Sequence, residues 1–124
     1  MDIEKALVVR VESLNDLVRV AGSIVLSRNP MYIMRFKHGN HTVYLMLSVI
    51  RDYYKYNGVP MAYYYTVENG GEEHKAKYIL LKVDEMGEEV VLTNKIRHGY
   101  AVIPVLDLAE PPPFFPVEVL GGEQ

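Results

Sequence analysis

The sequence predicts an α+β domain in which an antiparallel, meander-like β-sheet follows an N-terminal amphipathic helix. Apolar residues recur at helical spacing over residues 14–25, and runs of alternating β-branched and aromatic residues follow from residue 32, separated by glycine-containing turns. A chain of 124 residues, 49% of them apolar and 23% charged, has the size and composition of one folded domain. We therefore expect a single domain over residues 1–109, followed by a proline-rich, extended tail over residues 110–124.

The first elements are a short strand and the helix. Alternating apolar residues from Leu7 to Val11 predict the strand. Ser13 stands three residues before Asp16, an arrangement close to a capping box, so the helix should begin there. Because Pro30 disfavours helical geometry in the residue before it, the helix should end near residues 28–29.

A β-hairpin is predicted next. Tyr32, Met34 and Phe36 alternate with Arg35 and Lys37 up to a turn at residues 38–40. The second arm starts at residue 42. It reads as strand at first, but from about residue 47 the apolar positions also fit a second helix, and the pattern leaves both alternatives open.

The remaining strands are predicted at residues 59–67, 75–83, 90–93 and 100–106. Pro104 lies in the last of these, and since proline cannot donate a ladder hydrogen bond, that strand should lie at an edge or carry a bulge. From residue 110 the run PPPFFP favours an extended polyproline conformation.

The composition argues against most catalytic chemistry. There is no cysteine, which excludes disulfides, thiolate nucleophiles and cysteine-ligated metals. No phosphate-binding glycine loop and no Ser-His-Asp arrangement is recognisable, so we expect no catalytic residue, no metal and no cofactor. A small-ligand enzyme that uses His38, His41 or tyrosines is the weakest alternative. No apolar run approaches the roughly 20 residues of a membrane span, and the first residues lack the basic start of a signal peptide, so we expect a cytoplasmic protein.

Charge and aromatic residues are concentrated in one part of the chain. The formal net charge is −3, yet residues 28–65 contain five cations and one anion, while no Lys or Arg follows Arg97. The stretch DYYKYNGVPMAYYY, residues 52–65, holds six of the ten tyrosines. Strand alternation should place Tyr63 and Tyr65 in the core and Tyr64 on the opposite face, although a sheet with both faces partly covered would also explain the composition.

Exposed rings beside cations supply both parts of a site for single-stranded nucleic acid, since bases stack on the rings and the cations follow the phosphates. The candidate stacking residues are Tyr32, Tyr53, Tyr54, Tyr56 and Tyr64. The candidate phosphate contacts are Arg28, Arg35, Lys37, Arg51 and Lys55.

The helix-then-meander order, the basic hairpin MYIMRFKHG and the block RDYYKYNGVPMAYYYT resemble the archaeal ThermoDBP-related single-stranded DNA-binding proteins over about residues 13–105. The resemblance implies an α+β domain with an aromatic and basic cleft, little sequence preference and a homo-oligomeric state. We therefore expect a non-enzymatic protein that binds single-stranded nucleic acid, DNA rather than RNA. The alternative is an assembly or adaptor protein that uses a tyrosine-rich face and docks its tail on a neighbour through Phe114 and Phe115.

Overall fold

The computed structural model describes residues 5–17, 19, 32–48, 61–68, 75–82 and 96–120. Strands dominate these residues. They are β1 (Leu7–Arg10), β2 (Ile33–His38), β3 (His41–Ser48), β4 (Met61–Glu68), β5 (Tyr78–Lys82), β6 (Ile96–Arg97) and β7 (Tyr100–Asp107), with a 3₁₀ helix at Val117–Leu120.

The strands form one mixed sheet. Its order is β1-β4-β3-β2-β7-β5, and β6 pairs with β7 beside this path. The β2–β3, β3–β4, β5–β7 and β6–β7 pairs are antiparallel. The β1–β4 and β2–β7 pairs are parallel. The N-terminal strand therefore lies at one side of the sheet, and the C-terminal strand is inserted between β2 and β5.

The predicted fold class is wrong. The sheet is mixed rather than an antiparallel meander, and little of the described chain is helical, so the fold does not consist of a meander with an N-terminal helix and a second helix. A helical turn does begin at residue 14, where the Asp16 N–H donates to Oγ of Ser13 (3.1 Å) and the Leu17 N–H donates to the Ser13 carbonyl (2.9 Å). Residues 18 and 20–29, where we predicted the rest of this helix, lie outside the described residues. β3 remains a strand through Ser48, and the following residues 49–60 also lie outside them.

Several local predictions are confirmed. The hairpin is present, with His38 opposite His41 across a two-residue turn in which Gly39 has a φ of 60°. This positive φ at the first turn position is one that glycine adopts without strain. The predicted strands near residues 7–11, 59–67, 75–83 and 100–106 correspond to β1, β4, β5 and β7, whereas residues 90–93 lie outside the described residues.

Pro104 does not mark an edge strand, because β7 is flanked by partners on both sides. The Val105 N–H donates to the Lys77 carbonyl (2.9 Å), and since successive amides alternate, the nitrogen of Pro104 faces away from β5. Among the described residues, β6 pairs with Tyr100 and Ala101 on that other side, and β2 pairs from Val105 onward. Pro104 falls between these two described pairings, so its missing N–H breaks none of their ladder bonds.

Both faces of the sheet carry buried side chains at their centres. The face that carries Ile33, Tyr44 and Tyr63, here called the core face, packs with Leu17 of the helical turn and Ile103 of β7. The opposite face, here called the tail face, carries Phe36, Val43, Leu45, Ala62 and Tyr64 at its centre, and all of these are buried.

The cover of the tail face is the C-terminal segment, residues 110–120. Phe115 is 4% exposed, and Phe114, Val117 and Leu120 pack against the same cluster. A segment whose prolines predict a free, extended tail thus supplies a layer of the core. Burying a phenylalanine ring contributes about 1.5–3 kcal/mol. This gain exceeds the entropic cost of ordering the few residues that carry the ring only if neighbouring apolar side chains contribute as well.

Within the described ranges, no helix has both the length and the apolar character needed to cross a membrane.

We expect Phe115→Ala to lower the free energy of unfolding by about 3 kcal/mol, because it removes a buried ring and leaves a cavity between the segment and the sheet. Val119→Ala is a matched control on the same segment, since Val119 is 46% exposed and its truncation should change stability by less than about 0.5 kcal/mol. Urea titrations of both variants check this. Equal stability of the two variants would contradict a structural role for Phe115.

Candidate nucleic-acid interface

Tyr64, at the centre of the predicted site, is not open to solvent. Alternation along β4 places it opposite Tyr63, as predicted, but its side chain is only 4% exposed because the C-terminal segment lies over it. The Phe115 ring meets Tyr64 edge-on (centroids 5.1 Å apart, planes at 84°) and Phe36 likewise (5.2 Å, 75°). Desolvation raises the pKa of Tyr64. A base could stack on Tyr64 only if Phe115 moved away.

Arg35 is also committed to the fold. Its side chain is 4% exposed, and its guanidinium binds Asp107 through two bonds, from Nε to Oδ1 (2.6 Å) and from Nη2 to Oδ2 (2.9 Å). Arg35 and Asp107 are register partners on β2 and β7, so the pair joins the two strands. The hydrogen bonds raise the pKa of Arg35 and hold the pKa of Asp107 below its usual range. A cation already bound in this bidentate geometry is poorly placed to hold a phosphate.

Two stacked tyrosines lie next to Arg35 on the core face. The guanidinium carbon of Arg35 lies 5.9 Å from the centre of the Tyr44 ring. Tyr44 in turn stacks on Tyr65, with ring centres 5.1 Å apart and an interplanar angle of 13°. Burial raises the pKa of Tyr65 to about 12. The hydroxyl of Tyr63, in the same cluster, donates to the sulfur of Met61 (3.4 Å). Much of the aromatic content of β3 and β4 therefore builds the core.

Two of the predicted nucleic-acid contacts are exposed in the described residues. Tyr32 precedes β2, and Lys37 lies near the end of that strand. Six other predicted contacts lie outside the described residues: Arg28, Arg51, Tyr53, Tyr54, Lys55 and Tyr56. Phe114 and Phe115, predicted to dock on a neighbouring molecule, pack on their own sheet instead, where Phe114 is partly buried and Phe115 is buried.

An open aromatic surface lies elsewhere on the tail face, beyond the C-terminal segment. It is formed by β5 and β7 and is called here the tyrosine strip. Its members are Tyr78, Leu80, Lys82, Tyr100, Pro104 and Leu106, all of them exposed. Tyr78 is 58% and Leu80 59% exposed, and four of the seven large hydrophobic side chains that are exposed among the described residues belong to this strip.

Strand register sets the arrangement of the strip. Tyr78 pairs with Pro104 and Lys82 with Tyr100, so one ring lies near each end and a cation lies beside the second. Sequence reasoning missed the strip because its two tyrosines are far apart in the chain. The signal was present, however, since Ile79 and Leu81 alternate with Tyr78 and Leu80, and one of these two pairs had to face away from the core.

Little in the described residues indicates catalytic or metal chemistry. No group of three His, Asp or Glu side chains among them is arranged to hold a metal ion. A cleft of about 210 Å³ beside the Arg35–Asp107 pair is also lined by Lys37 and Thr42, and it is smaller than the pockets that usually enclose small ligands.

No protein-family model, curated protein or solved structure matches this chain. The resemblance to the ThermoDBP-related proteins therefore stays a prediction.

We expect Asp107→Asn to lower the free energy of unfolding by about 1 kcal/mol at neutral pH, because it leaves the buried Arg35 side chain without its counter-charge. The loss stays this small because Asp107 itself is exposed, and solvent screens the pair. Since the folded-state pKa of Asp107 is depressed, the ion pair contributes fully above the unfolded pKa of about 3.9, and its contribution is lost as the pH falls through the lower folded value.

Urea titrations across this pH range would measure the effect. The difference in the free energy of unfolding between wild type and Asp107→Asn should become smaller below about pH 4. Glu110→Gln removes the same charge from an exposed side chain and should change stability by less than about 0.5 kcal/mol. A difference for Asp107→Asn that is independent of pH would contradict the assigned ion pair.

Proposed function

We propose that the protein binds single-stranded nucleic acid, DNA rather than RNA and without sequence preference, through the tyrosine strip. The observation that supports this most is the exposure of Tyr78 and Tyr100 on one sheet face with Lys82 beside Tyr100. A tyrosine ring offers a flat surface to any base, which gives affinity without base readout, and a lysine supplies the charge for a phosphate. The site is thus centred on β5 and β7 and not on Tyr64, which the fold buries.

The dimensions of the strip suit an extended strand. Tyr78 and Lys82 are four residues apart on β5, a distance of about 13 Å at the usual rise of a β-strand. The rings therefore lie too far apart to contact each other directly, and each can accept a separate base. Tyr32, exposed just before β2, is a further candidate contact outside the strip. Lys37 is exposed too, but strand alternation places it on the core face with Ile33 and Arg35, so it faces away from the strip.

Fluorescence anisotropy with an oligothymidine of about 15 nucleotides tests the proposal. Affinity should fall by about threefold for each phosphate contact as salt rises from about 50 to 200 mM, because bound phosphates release counterions. Tyr78→Ala and Tyr100→Ala should each weaken binding by about tenfold at constant salt slope, whereas Lys82→Gln should weaken it and flatten the slope.

Leu7→Ala is the matched control for this experiment. Leu7 is also exposed, but it lies on β1 at the far side of the sheet and alternates with Val8 of the tail-face cluster, so it should not change binding. If wild type does not bind oligothymidine at about 50 mM salt, the proposed function is refuted. An equal loss of affinity in Leu7→Ala and Tyr78→Ala would show that the strip is not the site.

A second candidate function is assembly, either with further copies of this chain or with another protein. Leu80 and Leu106 are both largely exposed in the strip, and aliphatic side chains gain little from nucleobases but much from a protein partner. Among the described residues, no strand pairs with the outer edge of β5, and such an edge can accept a strand from another molecule.

One substitution separates the two functions. Leu80→Lys adds a cation to the strip, so it should strengthen oligonucleotide binding if nucleic acid is the ligand. It should lower the mass in light scattering if the strip is an assembly surface, because a charged side chain is costly in an apolar interface. A monomeric wild type at about 100 µM would count against self-assembly through the strip.

A further inference from the structure

The C-terminal segment has the chemistry of a nucleic-acid mimic. Residues 110–120 carry two aromatic rings, Phe114 and Phe115, and two carboxylates, Glu110 and Glu118. They contain no Lys or Arg, and Arg97 is the last cation of the chain. Single-stranded nucleic acid likewise presents flat rings and negative charges to a protein.

The surface beneath the segment has the complementary chemistry. Phe115 lies edge-on against both Tyr64 and Phe36. Arg10 is the register partner of Tyr64 on β1 and is exposed, so a cation borders the covered rings on the same side of the sheet. The covered surface and the tyrosine strip also meet, because Met34 of the tail-face cluster pairs with Leu106 of the strip.

The segment is attached mainly through side-chain burial. Its described backbone hydrogen bonds are internal, from the Phe115 N–H to the Pro112 carbonyl (2.9 Å) and from the Val119 N–H to the Pro116 carbonyl (3.0 Å). The described backbone bond that fixes its origin to the sheet runs from the Leu108 N–H to the Arg35 carbonyl (2.8 Å), before the segment begins. The segment can therefore leave the sheet without breaking a strand ladder.

We propose that the C-terminal segment is an intramolecular competitor of nucleic acid. It occupies part of the tail face in the free protein, and an incoming strand displaces it and extends from the tyrosine strip onto Phe36, Tyr64 and Arg10. This inference rests on the proposed function, since it describes how the same binding face is regulated. Its energetic consequence is that closure of the segment lowers the apparent affinity by the fraction of molecules that are open.

Hydrogen exchange of the unmodified protein gives the first test. The Phe115 and Val119 amides should exchange faster than the amides in the β3–β4 ladder, because local release of the segment requires less free energy than global unfolding. Saturating oligothymidine of about 15 nucleotides should accelerate their exchange further. Unchanged or slower exchange of these two amides in the complex would overturn the proposal.

Affinity measurements on variants give the second test. Phe115→Ala weakens the competitor and should tighten oligothymidine binding by about tenfold, whereas Phe115→Leu keeps most of the buried apolar surface and should have a smaller effect. Val119→Ala, on the exposed side of the same segment, should leave the affinity unchanged. A thermal melt establishes that each variant is folded, and if Phe115→Ala is not, Phe115→Leu and the exchange experiment decide.

The two proposals fail in different ways. If wild type does not bind oligothymidine at about 50 mM salt, binding to nucleic acid is refuted whatever the variants of the segment do. If wild type binds, but Phe115→Ala has the same affinity and the segment keeps its protection in the complex, the strip is a binding site and the segment is only a structural cover.

Discussion

The insertion of Phe115 between Phe36 and Tyr64 is the contact on which the arrangement of the whole tail face depends. β3 and β4 carry apolar or aromatic side chains on both faces, so the sheet needs a cover on each side. Leu14 and Leu17 of the helical turn pack against the core face. The tail face lies on the other side, and a segment of the same chain covers its centre with an aromatic ring, which removes a large apolar area from water at two edge-to-face contacts.

The path of this segment is set at the junction of β2 and β7. The two strands are parallel and pair over three residues, with Arg35 opposite Asp107 at the end of the pairing. The bidentate bond between these side chains and the Leu108 N–H bond to the Arg35 carbonyl fix the chain where it leaves β7. Arg35, which we predicted from the sequence to be a phosphate contact, therefore helps through its pair with Asp107 to position the cover of the opposite face.

Sequence patterns predicted the local structure better than the topology. Ser13 as a helix cap, the turn at Gly39 and the opposite orientations of Tyr63 and Tyr64 all depend on neighbours within four residues, and each was correct. The parallel pairs β1–β4 and β2–β7 join residues more than fifty positions apart, which periodicity cannot reveal. The same limitation explains why Tyr64 was predicted to be accessible. Alternation placed Tyr64 on the second face correctly, but it could not reveal that residues 110–120 return to cover that face.

The orientation of the tyrosines of β4 alone therefore does not show whether they belong to a core or to a binding surface. A sheet face that accepts Phe115 edge-on has a shape and an apolar character that also suit other flat rings, and what separates the two kinds of ligand is charge and chain connectivity. The internal ligand is present at high effective concentration but gains little from Arg10 or from Lys82 of the strip, since its described contacts with the sheet are apolar. A long external polyanion loses that concentration advantage but can contact the strip and the covered rings together. We therefore expect replacement of the segment by nucleic acid to depend on how many cations the strand reaches at once, so that low salt should favour the open face.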